Sequence, residues 1–261
     1  PSATGQRVLK VRELSLPSAQ PFGVDLQRIS LEVHQGEIVG IAGVSGNGQA
    51  ELLQALSGEN PAAPASTVSI SGTDVAGLGP RQRRELGLHF VPEDRLGRGA
   101  VPSLSLADNL LLTRKEAVSP RGWIDSAKLR SQAALIIERF GVKASGPQAL
   151  ARSLSGGNLQ KFIMGREMAA HPKLLIVSQP TWGVDVGAAA QIRKQLLALR
   201  DGGCAILVLS EELDELFELS DRLYVLAKGR LSPSTLRAHA SVAQVGEWMS
   251  GLWPQAGVSH A

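Results

Sequence analysis

The spacing of apolar side chains changes along the chain, and the changes divide it into parts. Val8–Leu16, Leu26–Val33 and Glu37–Ala42 carry β-branched residues and leucines, with Gly23 and Gly36 as turn residues nearby, and read as short strands. The stretch Gly43-Val44-Ser45-Gly46-Asn47-Gly48-Gln49 follows at once, and Ala50–Leu56 then reads as a helix stopped by Ser57-Gly58. Residues 59–80 are rich in Pro, Ala, Ser and Gly, with a short hairpin expected around Val68–Ile70. From Leu104 to Ala170 the pattern is helical. Leu129, Ala133, Ile136, Ile137 and Phe140 fall on one face, with Asp125 or Ser126 as N-cap and Gly141 as stop. Beyond it, apolar runs at Leu174–Val177, Ala205–Leu209 and Leu223–Ala227 alternate with helices at Ala188–Arg200 and Glu212–Leu219. Fully apolar strands alternating with helices predict a mostly parallel sheet covered on both faces, interrupted by a helical insert. The tail from Ser232 is mixed, with Trp248, Met249, Leu252 and Trp253 as expected packing anchors.

Composition narrows the picture. The 261 residues are 43% apolar, with 27 Lys+Arg against 24 Asp+Glu. That balance excludes disorder, and a net charge of +3 is a weak argument for nucleic acid. The densest basic cluster, Arg81, Arg83 and Arg84, reads as a solvated helix face. One cysteine, Cys204, excludes a disulfide framework and reads as buried packing. No apolar run approaches the roughly 20 residues of a membrane span, and His34, His89, His171, His239 and His260 lack metal-ligand spacing. The first residue is not Met, as expected of a processed end or of one piece of a longer chain.

The glycine stretch has chemistry attached to its spacing. A phosphate-binding loop needs two glycines five apart, then Lys and a hydroxyl, between a strand and a helix. Its backbone N–H groups and the helix N-terminus then hold phosphate oxygens. Gly43 and Gly48 have that spacing, but the Lys position is Gln49 and the hydroxyl position is Ala50. Taken alone, a glycine-rich turn without ligand explains it equally well. Downstream, Leu154-Ser155-Gly156-Gly157-Asn158 opens a helix, Leu174–Val177 ends in Ser178-Gln179-Pro180, Gly183-Val184-Asp185 follows, and Leu209-Ser210-Glu211-Glu212 closes the next strand.

This order of motifs resembles the nucleotide-binding domain of ABC transporters, over nearly the whole chain. The finer similarity is to the second ATP-binding half of bacterial simple-sugar and nucleoside importers served by basic-membrane-protein-like binding lipoproteins. It is carried by Gly40–Leu52, Val91–Arg95, Ser153–Lys161, Gln179–Gly187 and Leu219–Arg222. The resemblance implies an α/β P-loop NTPase core of ABC type with a mostly parallel sheet, an N-terminal antiparallel β-subdomain and a helical insert. The chain is then one domain: residues 7–93 β-subdomain and P-loop part of the core, 94–170 helical signature subdomain, 171–231 the rest of the core, 232–261 a tail. In that family two such domains meet head to tail, and each ATP lies between the P-loop of one and the signature of the other.

The nucleotide-binding positions carried over are Gly43, Ser45, Gly46, Asn47, Gly48, Gln49, Ala50 and Glu51. Several depart from the pattern. Gln49 removes a cation but leaves an amide donor, which costs roughly one to two orders of magnitude in phosphate affinity. Ala50 cannot ligate Mg²⁺. Ser178 stands where an Asp orients the metal's water shell, Gln179 where a Glu polarises the attacking water, and Glu211 where a His meets the γ-phosphate. Phosphoryl transfer depends on positioning and on charge stabilisation, so hydrolysis at this loop is not expected. The half lent to a partner is intact: Ser155, Gly156 and Gly157 offer a hydroxyl and two backbone N–H groups to a partner's ATP, Asn158 for the usual Gln is read as minor, and Asp185 is placed at the dimer seam.

The resemblance further implies weak ATP at the chain's own site and Mg²⁺ mainly at the partner's. It also implies a second nucleotide-binding domain on the same polypeptide, membrane permease subunits coupled through Glu93, Asp94 and Arg95, and indirectly a substrate-binding lipoprotein. The expected location is the cytoplasmic face of the bacterial inner membrane, with no nucleic-acid partner. For Val91–Val101 a solvated charged loop is an equal alternative, and Trp182 is either an interface contact or packing. Phe22 is the one aromatic before the loop that could stack on adenine. Rival readings are a soluble ABC protein acting on nucleic acid, which usually keeps the Lys and Glu lost here, and a non-hydrolysing scaffold. Substrate identity is not encoded in this chain.

Overall fold

The computed structural model describes residues 5–114 and 123–254. By internal contacts the chain forms two compact units, Pro1–His89 with Lys173–Ile176 and Arg200–Ala261, and Phe90–Pro172 with Val177–Leu199. The end of the tail and residues 115–122 of the expected helical insert lie outside the described residues, as does His260.

In the first unit, β1 (Arg7–Leu16) pairs antiparallel with β2 (Leu26–His34) and with β4 (Val68–Ile70), which pairs with β5 (Thr73–Asp74). The register of β1 and β2 shifts between Val11↔Leu31 and Leu14↔Ile29, and Glu13 there has φ 49°, as a bulge requires. The larger sheet has β3 (Ile38–Ala42) at its centre, parallel to both β8 (Ala205–Ser210) and β9 (Arg222–Ala227). Every residue of β3 and β8 is buried, which explains their unbroken apolar runs. The order is completed by β7 (Leu174–Ser178) and β6 (Leu88–Val91) beyond β8, with β10 (Arg230–Leu231) and β11 (Thr235–Leu236) antiparallel to β9.

Helix α1 (Gln49–Ser57) starts after Gly48, whose φ of 108° needs a glycine, and buries Leu52, Leu53, Ala55 and Leu56. It stops at Gly58 in the left-handed conformation, the stop expected from Ser57-Gly58. The next helix, α2 (Pro80–Glu85), corrects the reading of its arginines as a solvated face. Arg83 is fully buried and donates to the carbonyls of Ala55, Leu56, Val75 and Leu78 at 2.6–3.0 Å. Two of those acceptors end α1, so the guanidinium caps it and answers its negative pole. Cys204 is buried as expected, and Trp248 packs from α8 (Val242–Met249). The expected anchor Leu252 is instead 65% exposed, because helix α8 ends at Met249 and leaves it beyond the packed face.

The second unit holds α3 (Leu106–Leu111), α4 (Ser126–Arg139), α5 (Gly156–Met168) and α6 (Val186–Asp201), whose residues to Leu199 belong here. Asp125 caps α4 by accepting the Lys128 N–H, and Leu129, Ala133, Ile136 and Phe140 are buried as their spacing predicts. Helix α5 is buried from Leu159 to Met168, polar residues included. Each of these finds a partner: Lys161 donates to Gly141 O at 2.6 Å, and Arg166 pairs with Glu167 at 2.8 Å and donates to Gly99 O. The short α7 (Leu213–Leu219) returns to the first unit. Among the described residues no helix is long and apolar enough to cross a membrane.

Candidate functional site

Strand register decides what meets the glycine loop. Ala42 of β3 lies opposite Ser210 of β8, so the segments after both strands leave the sheet side by side at its carboxyl end. Residue 211 therefore emerges beside the loop. The Ser45 N–H donates to Glu211 Oε1 at 2.6 Å, which the sequence had no means of showing. Gln49, expected to leave a free amide donor, is folded into the loop instead. Its Nε2 donates to Val44 O at 2.8 Å, and its Oε1 accepts the Asn47 N–H at 2.9 Å. Asn47 adds Nδ2 to Val44 O and accepts the Lys228 N–H. Ala50 opens α1 exposed and without a donor or acceptor side chain. Glu51 sits in the first turn and accepts from Val24 N at 2.9 Å and Ser18 Oγ at 3.3 Å, tying residues 18–24 to the helix. Phe22, the candidate aromatic, projects fully exposed from that segment.

In the second unit, Ser178 is buried and Gln179 half-buried, with Gln179 at φ 50° in the left-handed region that is strained for a side chain. The Gln160 amide donates to Pro180 O at 3.0 Å and holds this turn. Ser155 is the N-cap of α5. Its Oγ accepts the Asn158 Nδ2 at 2.9 Å and, more weakly, the Asn158 N–H at 3.4 Å, while Asn158 Oδ1 accepts the Lys143 N–H at 2.8 Å. Asn158 thereby orients the Ser155 hydroxyl and ties it to residue 143.

Arg95 makes contacts that its grouping with Glu93 and Asp94 did not anticipate. Of the three residues grouped as a coupling site, Glu93 and Asp94 are exposed and Asp94 faces Arg98 at 3.8 Å, but Arg95 turns onto the signature. Its Nε donates to Gln160 Oε1 at 3.1 Å, its Nη2 to Trp182 O, and its guanidinium stands 5.4 Å from the Trp182 ring centre. Burial lowers its pKa. No sequence spacing pointed to this. Trp182 is 57% exposed and a platform for Arg95, in line with the packing reading of it. Asp185 caps α6 by accepting the Ala188 N–H at 2.9 Å, and that bond, with Lys161 nearby, holds its carboxyl below the usual range.

These residues decide which groups fit. A phosphate approaching Gly43–Gln49 meets N–H groups already bonded to Glu211 and Gln49, and Mg²⁺ finds no hydroxyl at residue 50. Mg²⁺ does not fit the side chains at residues 49 and 50. At Ser155–Gly157 the cap hydroxyl, the helix N-terminus and Arg95 together suit an anion.

The comparisons agree with this geometry. The chain matches the ABC transporter family profile over residues 26–182. It is 41% identical over 234 residues to the nucleoside import ATP-binding protein NupA of Lactococcus lactis, covering 87% of this chain and 46% of that one. It is 37% identical over 241 residues to the ribose import ATP-binding protein RbsA of Bacillus licheniformis, covering 92% and 48%. The chain thus spans about half the length of the curated relatives it matches. The fold superposes on a solved ATP-binding subunit of an ABC transporter with a TM-score of 0.74 at 21% identity, covering 93% of this chain and 99% of the other. Strand, glycine loop and helix in one unit, and a serine-capped signature helix in the other, therefore place this chain in the ABC transporter family.

Proposed function

We propose that this chain is a nucleotide-binding domain of an importer for a nucleoside or simple sugar, with a hydrolysis-deficient P-loop of its own and a working signature lent to a second such domain. The relatives named above support the importer class, and their length supports a second domain on the same polypeptide. Its place is the cytoplasmic face of the bacterial inner membrane, bound to permease subunits through the exposed Glu93 and Asp94 and served by a substrate-binding lipoprotein. ATP bound mainly at the partner's P-loop, with its Mg²⁺, would be closed over by Ser155, Gly156 and Gly157. The observation that carries this reading is the contrast between the two halves. Two of the loop's N–H groups, those of Ser45 and Asn47, are answered by Glu211 and Gln49, whereas Ser155 is held ready by Asn158.

The test is Mg-ATP hydrolysis by the full chain alone, and then mixed with the partner domain, with and without Gly156→Asp. Silence alone, turnover on mixing and its loss with Gly156→Asp are expected. Turnover by the chain alone, with contaminating ATPase excluded, would overturn the assignment of Gln49, Ala50 and Gln179.

A further inference from the structure

We infer that Glu211 is an internal anion that occupies the phosphate-binding loop and must be displaced before any nucleotide phosphate enters. The inference deepens the reading of Gly43–Gln49 as a phosphate loop and rests on it. The loop is built to present backbone N–H groups to negative oxygen. Glu211 supplies such an oxygen at 2.6 Å from Ser45 N, the short distance of a charge-assisted bond. Nothing about burial forces the contact, since Ser45 and Glu211 are both exposed. The bond is made in competition with water, and the loop's own electropositive character favours it.

Register keeps the carboxylate close to the loop. Because Ala42 and Ser210 are paired, residue 211 is tethered within reach of the loop in every molecule. A tethered carboxylate competes with dissolved phosphate at a high effective concentration. Phosphate cannot join it, because two negative groups on the same donors repel. The missing cation at residue 49 lowers attraction for phosphate, and Glu211 adds an occupant. These are separate effects. The loop therefore opens only when the Glu211 side chain turns away from Ser45, which makes residue 211 a determinant of nucleotide occupancy at this site.

The experiment is calorimetric titration of the full chain with ATP in buffer containing EDTA, comparing Glu211→Ala with the neighbouring charge control Glu212→Ala. The pair is repeated in a background carrying Gln49→Lys and Ala50→Ser, and thermal unfolding confirms that every variant is folded. Glu211→Ala is expected to tighten ATP binding roughly ten- to a hundredfold in the repaired background, the worth of one charge-assisted bond plus one repulsion removed. Glu212→Ala is expected to change it by less than about twofold, as a more distant, solvent-screened charge would. Equal gains from both variants would reduce the effect to general charge relief and overturn the proposal. So would a repaired chain that binds ATP equally well with and without Glu211. A repaired Glu211→Ala chain that binds no ATP would overturn the phosphate-loop reading itself, and this inference with it.

Discussion

The Arg95 guanidinium rests on Gly156 so closely that a Cβ at that glycine would stand 2.6 Å from Nη1. Gly156 is the first residue of α5, so a cation lies at the positive end of a helix, where an anionic side chain would be the stabilising choice. Its hydrogen bonds go to neutral oxygens of Gln160 and Trp182. A local rule broken at a site whose other parts are in order is the usual mark of function over stability. A side chain at Gly156 would therefore move that guanidinium, apart from any role toward nucleotide.

Gly156→Ala meets only the far end of a flexible side chain, so it should destabilise the fold by less than about 1 kcal/mol while pushing Arg95 off Gln160 and Trp182. The cost should shrink in the Arg95→Ala background, where that space is empty. Urea denaturation of the two single variants and the double variant measures the coupling directly. Additive losses would mean that Arg95 moves aside freely.

Arg83 makes a larger demand on stability, in the first unit. Arg83→Met keeps length and loses four hydrogen bonds to carbonyls, two of them in the last turn of α1. Stranding buried acceptors costs about 1–3 kcal/mol each where water cannot reach them, so a loss of about 3 kcal/mol or more is expected in chemical denaturation. A loss below about 1 kcal/mol would show that water replaces the guanidinium.

Arg83 and Arg95 also show where the sequence stops being readable. Strands and caps were legible because glycine, capping residues and apolar period are local signals: Gly58, Asp125 and Gly141 stop or start helices where they were expected. The signature serine was legible for the same reason. Arg81, Arg83 and Arg84 look alike in the sequence, yet only Arg83 enters the core, because that depends on where α1 ends in space. Arg95 reaches Gln160 across 65 positions, and Glu211 reaches Ser45 across 166. Contacts at such separations are set by sheet register and helix packing, which no short motif encodes.

Cys204 gives a prediction in pH. Burial pushes its thiol up to about 12 from the ordinary 9.0, with the Leu175 backbone pulling the other way. The folded state holds the proton more tightly than the unfolded chain. This contribution to stability is complete below about pH 9 and is lost as pH rises toward 12. Between those values wild type should lose stability more steeply than Cys204→Ala, by up to about 1.4 kcal/mol per pH unit. Parallel pH profiles for the two proteins would show that the thiol is not shielded. Iodoacetamide at pH 8 should likewise label the unfolded chain and spare the folded one.

The last prediction concerns Gln179, the position where the family resemblance leads one to expect a general base. Restoring a base alone is worth about 10²–10⁴ in rate only where phosphate and metal are already positioned. Here they are not: Gln49 is spent on Val44 and Asn47, Ala50 offers no oxygen, and Glu211 holds the Ser45 N–H. Gln179→Glu by itself should therefore leave phosphate release at this loop within about twofold of wild type, since a base acts only on a water facing a bound phosphate. The measurement is made with the partner domain's own P-loop silenced, so that only this site is read. Activity should emerge only when Gln49→Lys, Ala50→Ser, Ser178→Asp and Glu211→His accompany Gln179→Glu. The left-handed backbone at 179 will still have to be accommodated, because a glutamate there meets the same φ of 50°. A jump in turnover from Gln179→Glu alone would mean that metal and phosphate are positioned by groups other than these.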